Sequence, residues 1–203
     1  MDPIQKIVDQ AFHLHQTGRI LEAIALYEQV LPYVVHHPVL IFLLGTAYHQ
    51  SQKPANALRQ LDRAILLNPG YADAYSNRGI VLKELEDLNE ALLSYQRAII
   101  LNPQLASAYC NRSHVLNELT QLDEALIGYD RALQLNPEYA DAGWNQSLLL
   151  IQRGDFLRGW ELYEWGWKAQ QRGRPRIAEH RLTPDVMLRR GLRIFAYQEQ
   201  GLG

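Results

Sequence analysis

The sequence predicts an all-α fold, a solenoid of stacked helical hairpins. Three observations carry that reading. Leu67-Asn68-Pro69 returns as Leu101-Asn102-Pro103 and again as Leu135-Asn136-Pro137, 34 residues later each time. The stretches that end in these tripeptides align without gaps, residues 72–105 opening Ala-Asp-Ala-Tyr-Ser-Asn-Arg and residues 106–139 opening Ala-Ser-Ala-Tyr-Cys-Asn-Arg. Small residues recur at fixed places inside each period. A period of this length marks a stack of supersecondary units that bury their apolar faces on their neighbours, not a globule around one centre.

Taken in order, the units are residues 4–37, 38–71, 72–105, 106–139 and 140–173. The first fits loosely, with Ala11, Gly18, Ala23 and Tyr27. The second keeps Gly45, Tyr48, Ala57, Ala64 and Pro69. The third and fourth are the clearest. The fifth opens well at Ala140-Asp141-Ala142 and ends without the proline. Each unit splits into two amphipathic helices. In 72–85, Tyr75, Val81, Leu82 and Leu85 recur at helical spacing around Gly79; in 89–101, Leu92, Tyr95, Ile99 and Leu101 do so beside Ala91 and Ala98. Asn89 and Asp123 are expected to cap the second helices, because their side-chain oxygens accept from free N–H groups of a first turn. The proline that follows disfavours helix in the residue before it and ends the second helix.

Small side chains let the two helices approach. Gly45, Gly79, Ser113 and Ser147 share the eighth position. Ala23, Ala57, Ala91 and Ala125 share the twentieth, and Ala64, Ala98 and Ala132 the twenty-seventh. Tyr27, Leu61, Tyr95, Tyr129 and Tyr163 fill the space beside them at the twenty-fourth.

This pattern, over about residues 4 to 171, resembles the tetratricopeptide repeat family, with a small residue at 8, Ala at 20, an aromatic at 24, Ala at 27 and Pro at 32. The resemblance implies a right-handed superhelix of helix-turn-helix repeats whose first helices line a concave groove, with positions 2, 5, 6, 9, 12 and 13 facing it. The implied partner is a protein or an extended peptide. Position 6 carries Asn77, Asn111 and Asn145, one per unit, with Leu43 and Asp9 upstream. An amide offers donors and an acceptor, and a row of amides suits the backbone of an extended peptide. The row resembles the asparagine ladder in the repeat arm of O-GlcNAc transferases. The other reading of the same residues is local helix-to-helix hydrogen bonding. Around the row stand Asp73, Ser76, Lys83, Glu84, Cys110, His114, Asn117, Glu118, Asp141 and Trp144. The set is mixed and mildly acidic, and it lacks the basic residues with which chaperone-binding relatives clamp a terminal carboxylate. A basic or neutral extended segment is the expected ligand.

Composition excludes several classes. Apolar residues make up 47% and charged residues 21%, ordinary for a folded soluble chain. The N-terminus has no basic and apolar regions of a signal peptide, and no apolar run is long enough to span a bilayer, so cytoplasm is the expected location. A lone cysteine, Cys110, rules out an internal disulfide. The net charge of −2 divides into −7 over residues 1–167 and +5 over 168–203. Without interleaved aromatics or amphipathic spacing, the basic segment reads as a linker rather than a nucleic-acid or membrane patch. The seven histidines lack partners at ligand spacing, so neither a metal nor another cofactor is expected. No nucleophile elbow, phosphate loop or zinc signature occurs, and the chain is not expected to be an enzyme by itself.

The C-terminal stretch differs from the repeats. Residues 154–167 replace the usual alanines with Gly159 and Gly166, and all four tryptophans lie between Trp144 and Trp167. Trp160, Tyr163 and Trp167 share a helical face, with Trp165 beside them. This is either a cap on the stack or a surface for a following domain or a second copy of the chain. Residues 173–190 read as a basic linker. Residues 191–203 read as a strand and a Gly-containing turn. Together with Gly154-Asp155-Phe156 and the tryptophans, Glu199-Gln200-Gly201-Leu202-Gly203 resembles bacterial proteins in which tetratricopeptide repeats precede a two-domain glycosyltransferase. That resemblance implies a recognition arm joined to the first strand of a catalytic domain, with the sugar-nucleotide site beyond Gly203.

Overall fold

The computed structural model describes residues 3–163. Those residues form ten α-helices and no strand: α1 (Pro3–Gln16), α2 (Ile20–Val30), α3 (Pro38–Gln50), α4 (Pro54–Leu67), α5 (Ala72–Glu84), α6 (Leu88–Leu101), α7 (Ala106–Glu118), α8 (Leu122–Leu135), α9 (Ala140–Gln152) and α10 (Phe156–Tyr163). The chain divides into two compact units, residues 1–137 and 138–203. The expected linker at 173–190 and the strand-like tail at 191–203 lie outside the described residues.

The first unit is four hairpins, α1–α2 to α7–α8, each helix packed on its partner and each hairpin on the next. The first helices also touch one another, α3 on α5 and α5 on α7, so they form one layer and the second helices another. The described part of the second unit is the hairpin α9–α10.

One turn design joins the two helices of every hairpin. Gly18, Gln52, Glu86, Thr120 and Gly154 occupy the same fifteenth position, and all have positive φ, from 60° to 83°. In each turn the next N–H reaches back to the last helical turn, as Asp87 N does to Leu82 O at 2.9 Å and Gln121 N to Leu116 O at 2.8 Å. The positive-φ residue itself donates to the carbonyl one residue further along, as Glu86 N does to Lys83 O at 3.0 Å. This paired bonding satisfies carbonyls that a helix end would leave open. The expected caps are displaced. The residue before α6 is Asp87, whose carboxylate accepts from Glu90 N at 3.3 Å, and α8 starts after Gln121. Asn89 and Asp123 instead lie inside the first turns, because each second helix starts earlier than its apolar pattern suggests. The Leu-Asn-Pro ends behave as their chemistry requires. Asn68 and Asn102 leave the helix near φ −137° and −136°, and their side-chain oxygens accept from Gly70 N and Gln104 N, both at 3.1 Å.

The small residues act as predicted. Tyr27, Tyr95, Tyr129 and Leu61 are fully buried beside Ala23, Ala91, Ala125 and Ala57. A Cβ added to Gly79 would stand 2.6 Å from the Tyr95 ring, which is why that position in α5 has none. Burial holds the Tyr27 hydroxyl at a pKa of about 12 and pushes that of Tyr129 far higher.

Candidate peptide-binding face

In the first unit, the first-helix layer is held by a row of polar staples. His15 Nε2 lies 3.1 Å from Gln50 Oε1. His49 Nε2 lies 2.7 Å from Glu84 Oε1, and Lys83 Nζ lies 3.1 Å from Glu118 Oε1. Each staple joins position 12 of one unit to position 13 of the next, 35 residues on. Consecutive first helices rise side by side in register, so those two positions meet at the same level of the stack. His114 Nε2 also reaches Glu118 Oε1, at 3.0 Å. Burial holds the His114 pKa below its ordinary value. The Lys83 charge lowers it further, against the opposing pull of Glu118.

Lys83, His114 and Glu118 are thus bonded to one another, and Glu84 to His49. Each pair is partly exposed and contributes about 0–1 kcal/mol. Of the three, the Lys83–Glu118 pair neutralises an acid on this edge. Sequence reading missed His49, Gln50 and His15. The signal was available as a recurring pair 35 residues apart, with a histidine or lysine at 12 and an amide or acid at 13.

The asparagines behave differently. Asn77 on α5 and Asn111 on α7 are half-buried. Among the described residues neither side chain makes a hydrogen bond, so local helix-to-helix bonding does not engage them. Asn117 is likewise half-buried and Asp73 exposed. Position 5 turns inward. Ser76 and Cys110 are 4% and 2% exposed, and the Phe42 ring packs on Tyr71 with centroids 4.8 Å apart.

In the second unit, Asn145 and Asp141 are half-buried on α9. Trp144, expected on an open wall, is 4% exposed and its ring stacks on Tyr163 at 4.9 Å. It occupies the same inward-turned position 5 as Ser76 and Cys110. Trp160 meets Tyr163 edge-on at 5.0 Å, so Trp144, Tyr163 and Trp160 form one aromatic cluster between α9 and α10. Trp165 and Trp167 lie outside the described residues.

A second polar device was not anticipated. Arg78 on α5 donates from Nε to Asp62 at 2.7 Å and from Nη1 to Ser94 Oγ at 2.6 Å, and lies 3.4 Å from Glu90. It ties α5 to α4 and to α6. Among the described residues no cluster of histidine, cysteine and acidic groups is placed to hold a metal ion, and no helix is long and apolar enough to cross a membrane.

Two family profiles, each described as tetratricopeptide repeat, match residues 72–105 and 106–139. Residues 72–139 are two consecutive tetratricopeptide repeats. No curated protein sequence matches the chain. Solved structures similar in fold include PilF of Pseudomonas aeruginosa, 17% identical over 85% of this chain and 78% of that one, with a TM-score of 0.73. MamA from Desulfovibrio magneticus RS-1 is 17% identical over 85% of this chain and 99% of that one, with a TM-score of 0.72. YrrB, titled a TPR protein with an unusual peptide-binding site, is 22% identical over 81% of this chain and 84% of that one, with a TM-score of 0.62. At these identities the likeness establishes the tetratricopeptide fold alone.

Proposed function

We propose that this chain is a binding scaffold, not a catalyst, and that the first-helix face of its first unit takes an extended protein segment. The observation that carries the reading is the pair of unengaged amides. Asn77 and Asn111 sit one repeat apart on a layer whose charged neighbours are already paired. Two amides repeated at the period of the stack suit the alternating N–H and C=O groups of a peptide backbone. With Glu118 paired to Lys83, the carboxylates of Asp73 and Glu84 leave the face weakly acidic, which favours a neutral or basic segment. YrrB, a TPR protein with an unusual peptide-binding site and a similar fold, supports this reading.

The test is a peptide-array screen on the whole chain followed by calorimetry on the best hit. Asn77→Ala combined with Asn111→Ala should weaken binding at least tenfold, about 1.4 kcal/mol for two hydrogen-bonding side chains, while the helical circular dichroism is unchanged. Equal affinities in variant and wild type would discard the amide pair as the contact.

The finer reading, a recognition arm for a glycosyltransferase, is supported by the motifs at 154–167 and 199–203. Coding sequence downstream of Gly203 that opens with Asp and continues for a few hundred α/β-patterned residues would support it; its absence would remove that reading and leave the scaffold. Self-association through Trp160 and Tyr163 is the competing use of the C-terminal end. Light scattering against concentration decides it, since a monomer at every concentration in both wild type and Trp160→Ala would exclude it.

A further inference from the structure

Among the positions at which repeats three and four differ, one interlocked set borders a cleft. In repeat three, position 7 is Arg78, position 8 is Gly79 and position 23 is Ser94. The guanidinium is held by Asp62, Glu90 and the Ser94 hydroxyl. In repeat four the small residues exchange places: position 8 is Ser113 and position 23 is Gly128, while position 7 is again an arginine, Arg112. The residue corresponding to Asp62 is Gln96, an amide. Among the described residues neither Gln96 nor Glu124, the counterpart of Glu90, bonds to Arg112, and no other group does. Arg112 is half-buried and lines a cleft of about 490 Å³ between α7 and α8, with Tyr109, Ile127, Gly128 and Gln134. Arg131 and Asp130 are also on its wall. Arg131 bonds Gln134 at 3.2 Å, and Asp130 has an interaction of its own. Two arginines and one aspartate thus line the cleft. Beside Gly128, Ser113 is fully buried, its Oγ has no hydrogen-bond partner, and it lies 2.0 Å from where a Gly128 side chain would begin.

We propose that this cleft binds a carboxylate brought by a ligand, anchored by the Arg112 guanidinium. Repeat three shows what the arginine at this place takes when its partners are built in: a carboxylate and a hydroxyl. Repeat four replaces Asp62 by Gln96 and Ser94 by Gly128, and the Glu124 it keeps does not bond Arg112. A guanidinium fork matches carboxylate geometry and is weakly hydrated, so it suits a partly buried anchor. Tyr109 and Ile127 flank it and suit the short apolar stem of an aspartate or glutamate. None of the lining residues occupies a position assigned to the peptide-binding face, so the site does not depend on that face being correct.

The test uses the whole chain, with the Arg112 and Arg78 side-chain Nε–H and the Gly128 amide followed by NMR. The probes are acetyl-Gly-Asp-Gly-amide, its Asn counterpart, and succinate. The Asp peptide should shift Arg112 and Gly128 saturably and leave Arg78 in place, while the Asn peptide shifts neither. Tighter binding of the Asp peptide than of succinate assigns the carboxylate to a protein side chain, and the reverse order assigns it to a small acid; either supports the site. Arg112→Gln should abolish the shift at Gly128. The exchange Ser113→Gly with Gly128→Ser rebuilds the arrangement that already folds in repeat three, and should weaken binding about tenfold by filling the cleft and engaging the arginine. No saturable shift with either carboxylate, an equal shift at Arg78, or unchanged affinity in both variants would overturn the proposal.

Discussion

Gly79→Ala tests whether helix-to-helix distance in these hairpins is set by the eighth and twenty-fourth positions. On helix propensity alone, replacing a mid-helix glycine by alanine stabilises by about 1 kcal/mol. Here the new methyl would lie 2.6 Å from Tyr95 Cε1 and 2.8 Å from Cδ1 and Cζ. The ring is 1% exposed, so it cannot swing into solvent. Pushing α5 and α6 apart to admit the methyl is an overpacking change, which costs about 1–3 kcal/mol. The net expectation is a loss of about 0–2 kcal/mol. Gly45→Ala supplies the control in the same fold. Its methyl would meet Leu61 Cγ at 3.1 Å and Cδ2 at 3.2 Å, and a leucine end gives way more easily than a rigid ring. That variant should keep most of the propensity gain. Urea unfolding of the two proteins should therefore separate them by about 1–3 kcal/mol, with unchanged m-values. Adding Tyr95→Leu to Gly79→Ala reproduces the alanine–leucine pairing of the Gly45→Ala control and should cost less than the sum of the two single changes. Equal stabilisation by both alanines would refute the argument that the tyrosine sets the spacing.

Three further outcomes follow from the geometry. Thr120 is β-branched and sits at φ 61°, so Thr120→Gly should raise stability by about 1 kcal/mol by removing left-handed strain, whereas Thr120→Val should not; thermal melts compare the two. Arg78→Ala should cost about 1–2 kcal/mol because it releases charge-assisted hydrogen bonds on a partly buried guanidinium, and a double-mutant cycle with Asp62→Asn should show coupling between the two side chains. His114 is held below its ordinary pKa by burial, so the unfolded chain binds the proton more readily. Its contribution to stability is complete above pH 6.5 and is lost as pH falls from there through the lowered folded value. His114→Gln should therefore narrow the difference in melting temperature between pH 7.5 and pH 5.5, and an unchanged or wider gap would count against burial as the cause.

The repeat frame was legible because each of its residues answers a local steric demand. Proline after Leu-Asn has one way to end a helix. Glycine or serine at the eighth position has one reason to face a tyrosine. The hairpin boundaries and the buried Tyr27, Tyr95 and Tyr129 follow directly. The turns were not legible, because three of the five left-handed positions carry Gln52, Glu86 and Thr120 rather than glycine. There the paired backbone hydrogen bonds impose a conformation that side-chain type does not announce. The second-helix caps were misplaced for a related reason: apolar periodicity marks the buried face and is silent about the exposed first turn. On the candidate face, Asn77 and Asn111 were found by repetition. The pairing of Lys83, His114 and Glu118, and of Glu84 with His49, depended on the register between neighbouring helices, which no single repeat encodes. Trp144 was placed on an open wall because the fifth position is assigned there by resemblance, yet its ring is buried against Tyr163.

Within one stack the repeats serve as controls for each other. Fold-forming positions must stay constant from unit to unit, since each interface is built from the same contacts. A change at one unit that the frame does not require therefore needs a separate cause. Arg78 shows that a guanidinium at the seventh position can be fully engaged without help from outside. In repeat four the arginine is kept as Arg112 while Asp62 becomes Gln96 and Ser94 becomes Gly128: the half-buried guanidinium has no bonded partner among the described residues, and the exchange of Gly79 and Ser94 for Ser113 and Gly128 leaves the Ser113 hydroxyl without one. Desolvating a charge and a hydroxyl without compensation costs stability. The unpaired amides of Asn77 and Asn111 pose the same problem on the first helices α5 and α7, at lower cost because they are neutral. Both sets become favourable in one circumstance, when an external chain supplies the missing acceptors and donors. The places where this stack forgoes its own internal bonds are thus the places where a partner would contribute most to its stability. Ligand binding at either site should raise the unfolding temperature of the wild type more than that of the corresponding Asn77→Ala, Asn111→Ala or Arg112→Gln variant.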